Sequence, residues 1–235
     1  MSDLVELPLG SHCISFHASR EEASAHAASF LAGNLPGMAA MYWVTDADTA
    51  DYYSDRLSTQ APDQVGCVAI LRHEQVEPVE GKLRPVSEVK EFIRAHPEGV
   101  SACGETISAY WSPENIADHV EYESWFQEQP RSKSRFLCPY DLRKVPPEMA
   151  PKVLRELGAQ HSHAALSRSP DPAVRLMQLF AFGTPAEIPP QLRDTYRWAT
   201  DQNLITATDP IEEMTLTSKG AQIVADWSRT ATIDW

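Results

Sequence analysis

Short apolar runs alternate with amphipathic segments over the first 166 residues of the chain. Six runs are short enough for buried strands, and the segments between them repeat apolar residues at helical spacing. Alternation of this kind predicts an α/β fold with a mostly parallel sheet and helices on both faces. The predicted strands are His12–His17, Met38–Thr45, Val65–Leu71, Val100–Thr106, Arg135–Tyr140 and His161–Leu166.

The first predicted helix has clear sequence signals at both ends. Ser19 and Glu22 form an S-x-x-E capping box at its start, and Gly33-Asn34 follows its last apolar residues. The apolar stripe of this helix consists of Ala23, Ala27, Phe30 and Leu31.

A Pro- and Ser-rich stretch, Ser167–Pro172, separates a second part of the chain. We place the boundary there, giving domains over residues 1–168 and 169–235. The second part reads as two helices, a hairpin and a last helix, and its end resembles the closing part of winged-helix domains. Residues 170–235 hold five Lys or Arg against nine Asp or Glu, a net charge of −4. This charge disfavours DNA binding and favours a packing or dimerisation module.

No phosphate-binding loop follows the first strand. In a RecA-type or KaiC-type nucleotide-binding domain, that strand runs into a glycine-rich turn with a Lys that reaches the phosphates. Here the residues that follow are Ala18, Ser19, Arg20, Glu21 and Glu22. Two carboxylates therefore stand at a helix N-terminus where a phosphate would bind, so the sequence predicts a degenerate RecA/KaiC-like core.

Composition narrows the possible partners. The formal net charge of −13 disfavours nonspecific binding to nucleic acid or anionic membranes. No apolar run is long enough to span a bilayer and no signal peptide is visible, which predicts a cytoplasmic protein. The four cysteines are widely spaced without a C-x-x-C pair, which favours inert core thiols over disulfides or structural zinc. We expect no cofactor.

The carboxyl ends of the predicted strands provide the candidate ligand site, because parallel α/β sheets bind their ligands there. Capping and loop hydrogen bonding are an equally supported interpretation of these polar residues. The candidates are His17, Ser19, Thr45, Asp46, His73, Glu105, Tyr140 and Asp141.

Glu123 is a separate candidate, because it falls on the apolar stripe of the fourth predicted helix with Ile116 and Val120. A buried carboxylate needs a partner or a raised pKa. It is either a ligand-binding acid or, as we favour, the structural partner of an arginine such as Arg135.

Histidines raise the question of a metal site, although structural roles are favoured. His12, Cys13 and His17 have suitable donor atoms, but neighbouring strand residues such as His12 and Cys13 point to opposite faces. His161 and His163 share one face of their predicted strand, without an evident third ligand. We therefore assign no metal ligand, and the sequence leaves open whether His12, Cys13, His161 or His163 bind a metal.

Several local strings, in order, resemble the MEDS domain, a sensory domain named after the DcmR regulator of methanogens and methylotrophs. The resemblance covers roughly residues 8–167. It is carried by Gly10-Ser11-His12-Cys13, the acidic helix start after Ser19, Phe30-Leu31 with Gly33, Met38–Tyr42, Glu121-Tyr122-Glu123, Cys138-Pro139-Tyr140-Asp141 and His161-Ser162-His163.

The resemblance implies a sensory role on a KaiC-type fold without its phosphate loop, and it supplies no catalytic residue. We therefore expect a non-catalytic sensory or regulatory protein that binds a small molecule or signalling protein and signals through its C-terminal module. A homodimer is compatible with this expectation. The alternatives are a transcriptional regulator that binds DNA through that module and a residual nucleotide-binding ATPase-like protein.

Overall fold

The computed structural model describes residues 4–33, 39–44, 47–60, 68–72, 87–104, 116–128, 133–182, 188–206 and 214–231. Its first part alternates strands and helices, as the apolar pattern predicts. The elements are β1 (His12–His17), α1 (Arg20–Ala32), β2 (Ala39–Val44), α2 (Ala47–Gln60), β3 (Val68–Arg72), α3 (Ser87–Ala95), β4 (Val100–Gly104), α4 (Ile116–Glu128), β5 (Ser134–Asp141), α5 (Ala150–Ala159) and β6 (His163–Ala165).

These six strands form one parallel sheet in the order β3-β2-β4-β5-β1-β6. The predicted α/β class with a parallel sheet is confirmed. β1 and β5 are central neighbours, and their register pairs His12 with Phe136 and His17 with Asp141. Residues far apart in sequence are thereby brought together on each side of this strand pair.

The two faces of the sheet are covered by different helices. On β1, Cys13 packs with apolar residues of α1, whereas Ile14 and Phe16 pack with residues of α4 and α5. On β5, Leu137 belongs to the α1 face, and Phe136, Cys138 and Tyr140 belong to the α4–α5 face. This strict alternation follows from the period of two in an extended strand.

The predicted start of α1 is confirmed, with one difference. The Ser19 hydroxyl accepts a hydrogen bond from the Glu22 backbone N–H at 3.2 Å, as in a capping box. The Glu22 carboxylate, however, accepts from the Ala18 N–H at 3.0 Å, one residue before the cap. Gly33 is the C-cap of the helix.

The C-terminal part comprises α6 (Pro172–Leu179), α7 (Arg193–Asp201), β7 (Ile205–Thr206), β8 (Thr215–Leu216) and α8 (Ser218–Ala231). β7 and β8 pair as an antiparallel hairpin, as the sequence predicts. Leu176 and Phe180 are fully buried in the same apolar cluster as Phe136 and Tyr140 of the sheet. One continuous core therefore joins the C-terminal part to the α4–α5 face of the sheet.

Polar and close contacts reinforce this packing. The Arg155 guanidinium of α5 donates to the Met214 carbonyl oxygen at 2.8 Å. The Gly158 backbone lies so near the Ala181 carbonyl that an added Cβ would collide with it.

None of the described helices has the length and apolar character needed to cross a bilayer.

Candidate functional site

A buried polar cluster lies on the α4–α5 face of the sheet. It consists of four side chains from four different parts of the chain: His12 at the start of β1, Glu123 of α4, Cys138 of β5, and His161 between α5 and β6. One ligand atom of each lies within 4.8 Å of the others. Because β1 adjoins β5, the fold itself brings these donors together.

Glu123 is the centre of this cluster and is completely buried. Its Oε2 lies 3.1 Å from His12 Nε2 and 3.4 Å from His161 Nε2. The Cys138 thiol donates to the same oxygen at 3.3 Å, and the Tyr140 hydroxyl donates to Oε1. The carboxylate has polar neighbours at both oxygens, as a buried charge requires.

The two imidazoles are fixed by main-chain carbonyls. His12 Nδ1 lies 3.0 Å from the Gln160 carbonyl oxygen, and His161 Nδ1 lies 2.6 Å from the Leu157 carbonyl oxygen. A carbonyl oxygen only accepts hydrogen bonds, so each Nδ1 carries a hydrogen. Both Nε2 atoms are therefore directed at the interior of the cluster.

Burial and charge set the protonation of these groups. Burial lowers the pKa of His12, and the neighbouring His161 lowers it further. Burial alone would raise the pKa of Glu123, but His161 and His12 outweigh it and hold that pKa far below its usual range. Burial and the Glu123 carboxylate raise the pKa values of Cys138 and Tyr140, so both remain protonated donors.

The predicted partnership between Glu123 and Arg135 is wrong. Arg135 faces the α1 side, where its guanidinium donates to Ser101 Oγ at 2.8 Å and the Phe30 carbonyl oxygen at 2.6 Å. It also donates to the Leu7 carbonyl oxygen and lies over the Phe30 ring. Odd and even residues of β5 point to opposite faces, which keeps Arg135 and Cys138 apart.

The predicted strand-end site divides between the two faces of the sheet. His17 and Asp141 are neighbours in register and lie on the α1 face, with Ser19 at the nearby helix start. Tyr140 does not lie at the mouth of this site, because it is fully buried and bonded to Glu123 on the opposite face. The candidates Thr45, Asp46, His73 and Glu105 lie outside the described residues.

The α1-face group around His17 carries opposing charges. Asp141 accepts from the Arg143 guanidinium at 2.7 and 2.8 Å, which, with His17, lowers the pKa of Asp141 despite its burial. Burial lowers the pKa of His17 to about 4. Neither ring nitrogen of His17 has a hydrogen-bond partner among the described residues.

Two cavities open beside this group at the end of β1. One, of about 530 Å³, is lined by Ser19, Glu22 and His26 together with Arg168 and Ser169. The other, of about 420 Å³, adds Arg143 of the first part and Asp171 and Trp227 of the C-terminal part. Residues from both parts of the chain therefore surround the space at the carboxyl end of β1.

The residues that the sequence grouped as possible metal ligands also lie apart in the structure. Cys13 faces α1, away from His12, as the alternation predicts. His163 binds the Ser162 hydroxyl at 2.9 Å and does not join His161 in the cluster. Nothing in the sequence pattern links Cys138 to His12, although both residues occur in the strings that resemble the family. No sequence signal gives the distance between them, because it depends on strand order.

Comparison with known proteins identifies the family of the first part of the chain. The model of the MEDS family, the MEthanogen/methylotroph, DcmR Sensory domain, matches residues 11–156. The match covers more than half of the chain, so the chain belongs to the MEDS family, a family of sensory domains. No curated protein matches the sequence.

Two solved structures share limited similarity with the chain. One, from Pyrococcus horikoshii OT3, is 11% identical, with a TM-score of 0.47 over 70% of this chain and 84% of that one. The other is a DUF1998 helicase, MrfA, bound to DNA, also 11% identical, with a TM-score of 0.29. That alignment covers 86% of this chain and 28% of the helicase.

Proposed function

We propose that this MEDS-family chain is a non-catalytic sensory protein that binds a small molecule at the carboxyl end of β1 and signals through its C-terminal part. The observation that carries the proposal is the contact made by Glu22. Its carboxylate joins the end of β1 to the junction between the two parts: it accepts from the Ala18 N–H, the Ser167 hydroxyl and the Arg168 N–H. A ligand that moved Glu22 would therefore act on the junction directly.

The junction is in turn anchored to α6. The Gln178 side chain accepts from the Ser167 N–H at 2.7 Å and donates to the Ser167 carbonyl oxygen at 3.5 Å. Asp171 caps the same helix by accepting from the Ala173 N–H. A displacement at Glu22 would consequently pass through residues 167–171 into α6 and the core shared with α8.

Two features of the α1 start support a role other than phosphate binding. The Glu22 N–H is satisfied by Ser19, and the Glu22 carboxylate fills the region that an anion would enter. Glu21 adds a second negative charge in the first turn. A helix N-terminus attracts anions only where its own acids do not oppose them.

A thermal-shift screen of metabolites, nucleotides and inorganic salts on the full chain tests the proposal. A ligand at the β1 end should raise the melting temperature of the wild-type chain, and Arg168→Glu should reduce that shift, because Arg168 lines the larger cavity. Arg197→Glu is the matched control, since Arg197 is an exposed arginine on α7 away from both cavities. Equal responses of the two variants would place the ligand elsewhere.

The same chain also tests the DNA-binding alternative. The acidic C-terminal part should give no salt-dependent retention on a generic duplex at moderate ionic strength. Tight binding of a specific duplex would instead favour a transcriptional regulator.

A further inference from the structure

We propose that His12, Glu123, Cys138 and His161 form a mononuclear site for a divalent transition metal of zinc type. The inference is independent of the proposed ligand site at the end of β1, because the two lie on opposite faces of the sheet. It uses residues that the sensory proposal leaves without a role.

The spacing of the donor atoms agrees with a tetrahedral site. Metal–donor bonds of about 2.0 Å to nitrogen or oxygen and about 2.3 Å to sulfur place the donors about 3.3–3.7 Å apart. Glu123 Oε2 lies 3.1, 3.4 and 3.3 Å from His12 Nε2, His161 Nε2 and Cys138 Sγ. Cys138 Sγ and His12 Nε2 are 3.3 Å apart. The two remaining donor pairs, His161 Nε2 with His12 Nε2 and with Cys138 Sγ, lie within 4.8 Å, so the group would contract around one ion by about 1 Å or less at these pairs.

The orientation of the imidazoles is the strongest argument for a cation. With each Nδ1 hydrogen donated to a carbonyl oxygen, a neutral ring directs the lone pair of Nε2 at the Glu123 carboxylate. Lone pairs of two imidazoles and a carboxylate repel one another unless a positive charge lies between them. A protonated imidazole would supply the same charge through an ion pair with Glu123, so the measured metal content distinguishes the two arrangements.

The surrounding contacts are those of a metal site with an ordered outer shell. Main-chain carbonyls of Gln160 and Leu157 hold the two imidazoles with Nε2 directed inward. The Tyr140 hydroxyl binds Glu123 Oε1 and leaves Oε2 available as a single-oxygen ligand. Each nitrogen and oxygen ligand thus has its orienting partner in place.

The charges and donor types select the ion. A thiolate, a carboxylate and two neutral imidazoles balance a divalent cation, so the loaded site is neutral and its burial costs little. Binding would release the Cys138 proton. Thiolate and imidazole donors favour zinc-type ions over Mg²⁺ or Ca²⁺, which prefer oxygen.

A cavity lies beside His161, next to the cluster. It has a volume of about 450 Å³ and is lined by His161 together with Ile14, Arg155 and Phe182. The His161 side chain is itself buried, so an ion would pass from this cavity to the cluster only when His161 moves locally.

The experiment measures binding of Zn²⁺ and Co²⁺ to the untagged full chain. Elemental analysis after equilibrium dialysis against Zn²⁺ should find one ion per chain. The Co²⁺-loaded chain should show thiolate-to-cobalt charge-transfer absorption and the intense visible bands of a tetrahedral centre. A folded wild-type chain that bound neither ion stoichiometrically would overturn the proposal in favour of a buried imidazolium–carboxylate pair.

Variants identify the ligands. Cys138→Ser should remove the charge-transfer absorption, and His161→Gln should weaken Zn²⁺ binding at least about 100-fold. Cys13→Ser is the matched control, because Cys13 is also a buried thiol of the same sheet but faces α1. It should keep both the stoichiometry and the absorption. Binding that survived Cys138→Ser but not Cys13→Ser would contradict the assignment.

A milder substitution covers the case in which a ligand variant fails to fold. Tyr140→Phe keeps all four ligands and removes only the hydroxyl that orients Glu123. It should weaken Zn²⁺ binding about 10- to 100-fold while the charge-transfer absorption persists. Unchanged affinity in folded Tyr140→Phe would argue against Glu123 as a ligand.

Discussion

Glu22 and Ser167 are joined by a 2.6 Å hydrogen bond from the Ser167 hydroxyl to Glu22 Oε2, although 145 residues separate them in sequence. The same carboxylate also accepts from the Arg168 N–H at 2.5 Å. One side chain at the start of α1 therefore holds the segment that leads into the C-terminal part.

Glu22→Gln should destabilise the chain by about 1–3 kcal/mol. The glutamine amide group would face donors that now need an acceptor, at Ala18, Ser167 or Arg168. Urea denaturation measures the loss, and hydrogen exchange should rise at residues 167–171. Glu148→Gln, an exposed substitution near α5, should change stability by less than about 0.5 kcal/mol. Equal effects of the two substitutions would show that the junction does not depend on Glu22.

Acid should weaken the fold through His17. Its pKa is 6.5 when unfolded and about 4 when folded, because burial disfavours the charged ring. Between these values only the unfolded chain binds the proton, so stability falls by up to about 3 kcal/mol as the pH drops from 6.5 to 4. Above pH 6.5 and below pH 4 this contribution is constant.

The neighbours of His17 modify this profile. The negative charge of Asp141 raises the pKa of His17, whereas His26 and Arg143 lower it. Glu22 raises it by a smaller amount. His17→Gln should reduce the slope of the stability–pH curve in this window without abolishing it, because burial also lowers the pKa values of His12 and His26. Urea denaturation at a series of pH values measures the slope. His96→Gln, on the C-terminal side of α3, is the control and should keep the slope. An unchanged slope in His17→Gln would show that other groups cause the acid sensitivity.

Arg135→Met should cost at least about 3 kcal/mol of stability, because hydrogen bonds to a charged group contribute about 1.5–3 kcal/mol each. The substitution removes the guanidinium donor from Ser101 and from the carbonyls of Leu7 and Phe30, of which Phe30 keeps the Gly33 N–H. Arg135→Lys should recover only part of the loss, since an ammonium group lacks the planar fork. Arg94→Met removes an exposed arginine and serves as the control. A loss below about 1 kcal/mol for Arg135→Met would contradict this account.

Mg-ATP should bind no more tightly than about millimolar, which corresponds to only about 4 kcal/mol. The acids Glu21 and Glu22 occupy the helix start that would otherwise receive a phosphate. Calorimetric titration of the full chain measures the affinity, and a phosphate-release assay should find no hydrolysis. Micromolar binding would restore the nucleotide-binding alternative.

The sequence predicted local structure better than it predicted the site. The apolar pattern located β1 and α1, and alternation along β1 correctly separated His12 from Cys13. Helical spacing also predicted that Glu123 is buried. Each of these features depends on one strand or one helix, in which side chains repeat every two or about 3.6 residues.

The partners of Glu123 could not be predicted in this way. Its contact with His12 spans 111 positions and exists because β1 lies beside β5, an order that periodicity does not determine. Tyr140 was predicted at the mouth of the strand-end site because it lies near the end of β5. Because side chains alternate along β5, Tyr140 lies on the same face as Phe136 and Cys138 and therefore points toward α4 and Glu123.

The close fit between α5 and the C-terminal part has a consequence for evolution. The family match ends at Glu156, within α5, and the remaining residues of that helix include Gly158, which leaves no room for a side chain against Ala181. Joining this C-terminal part to the α5 of another family member would therefore require a glycine at the same position. Recombination between members of the family should be tolerated only where this surface of α5 and its covering segment are inherited together.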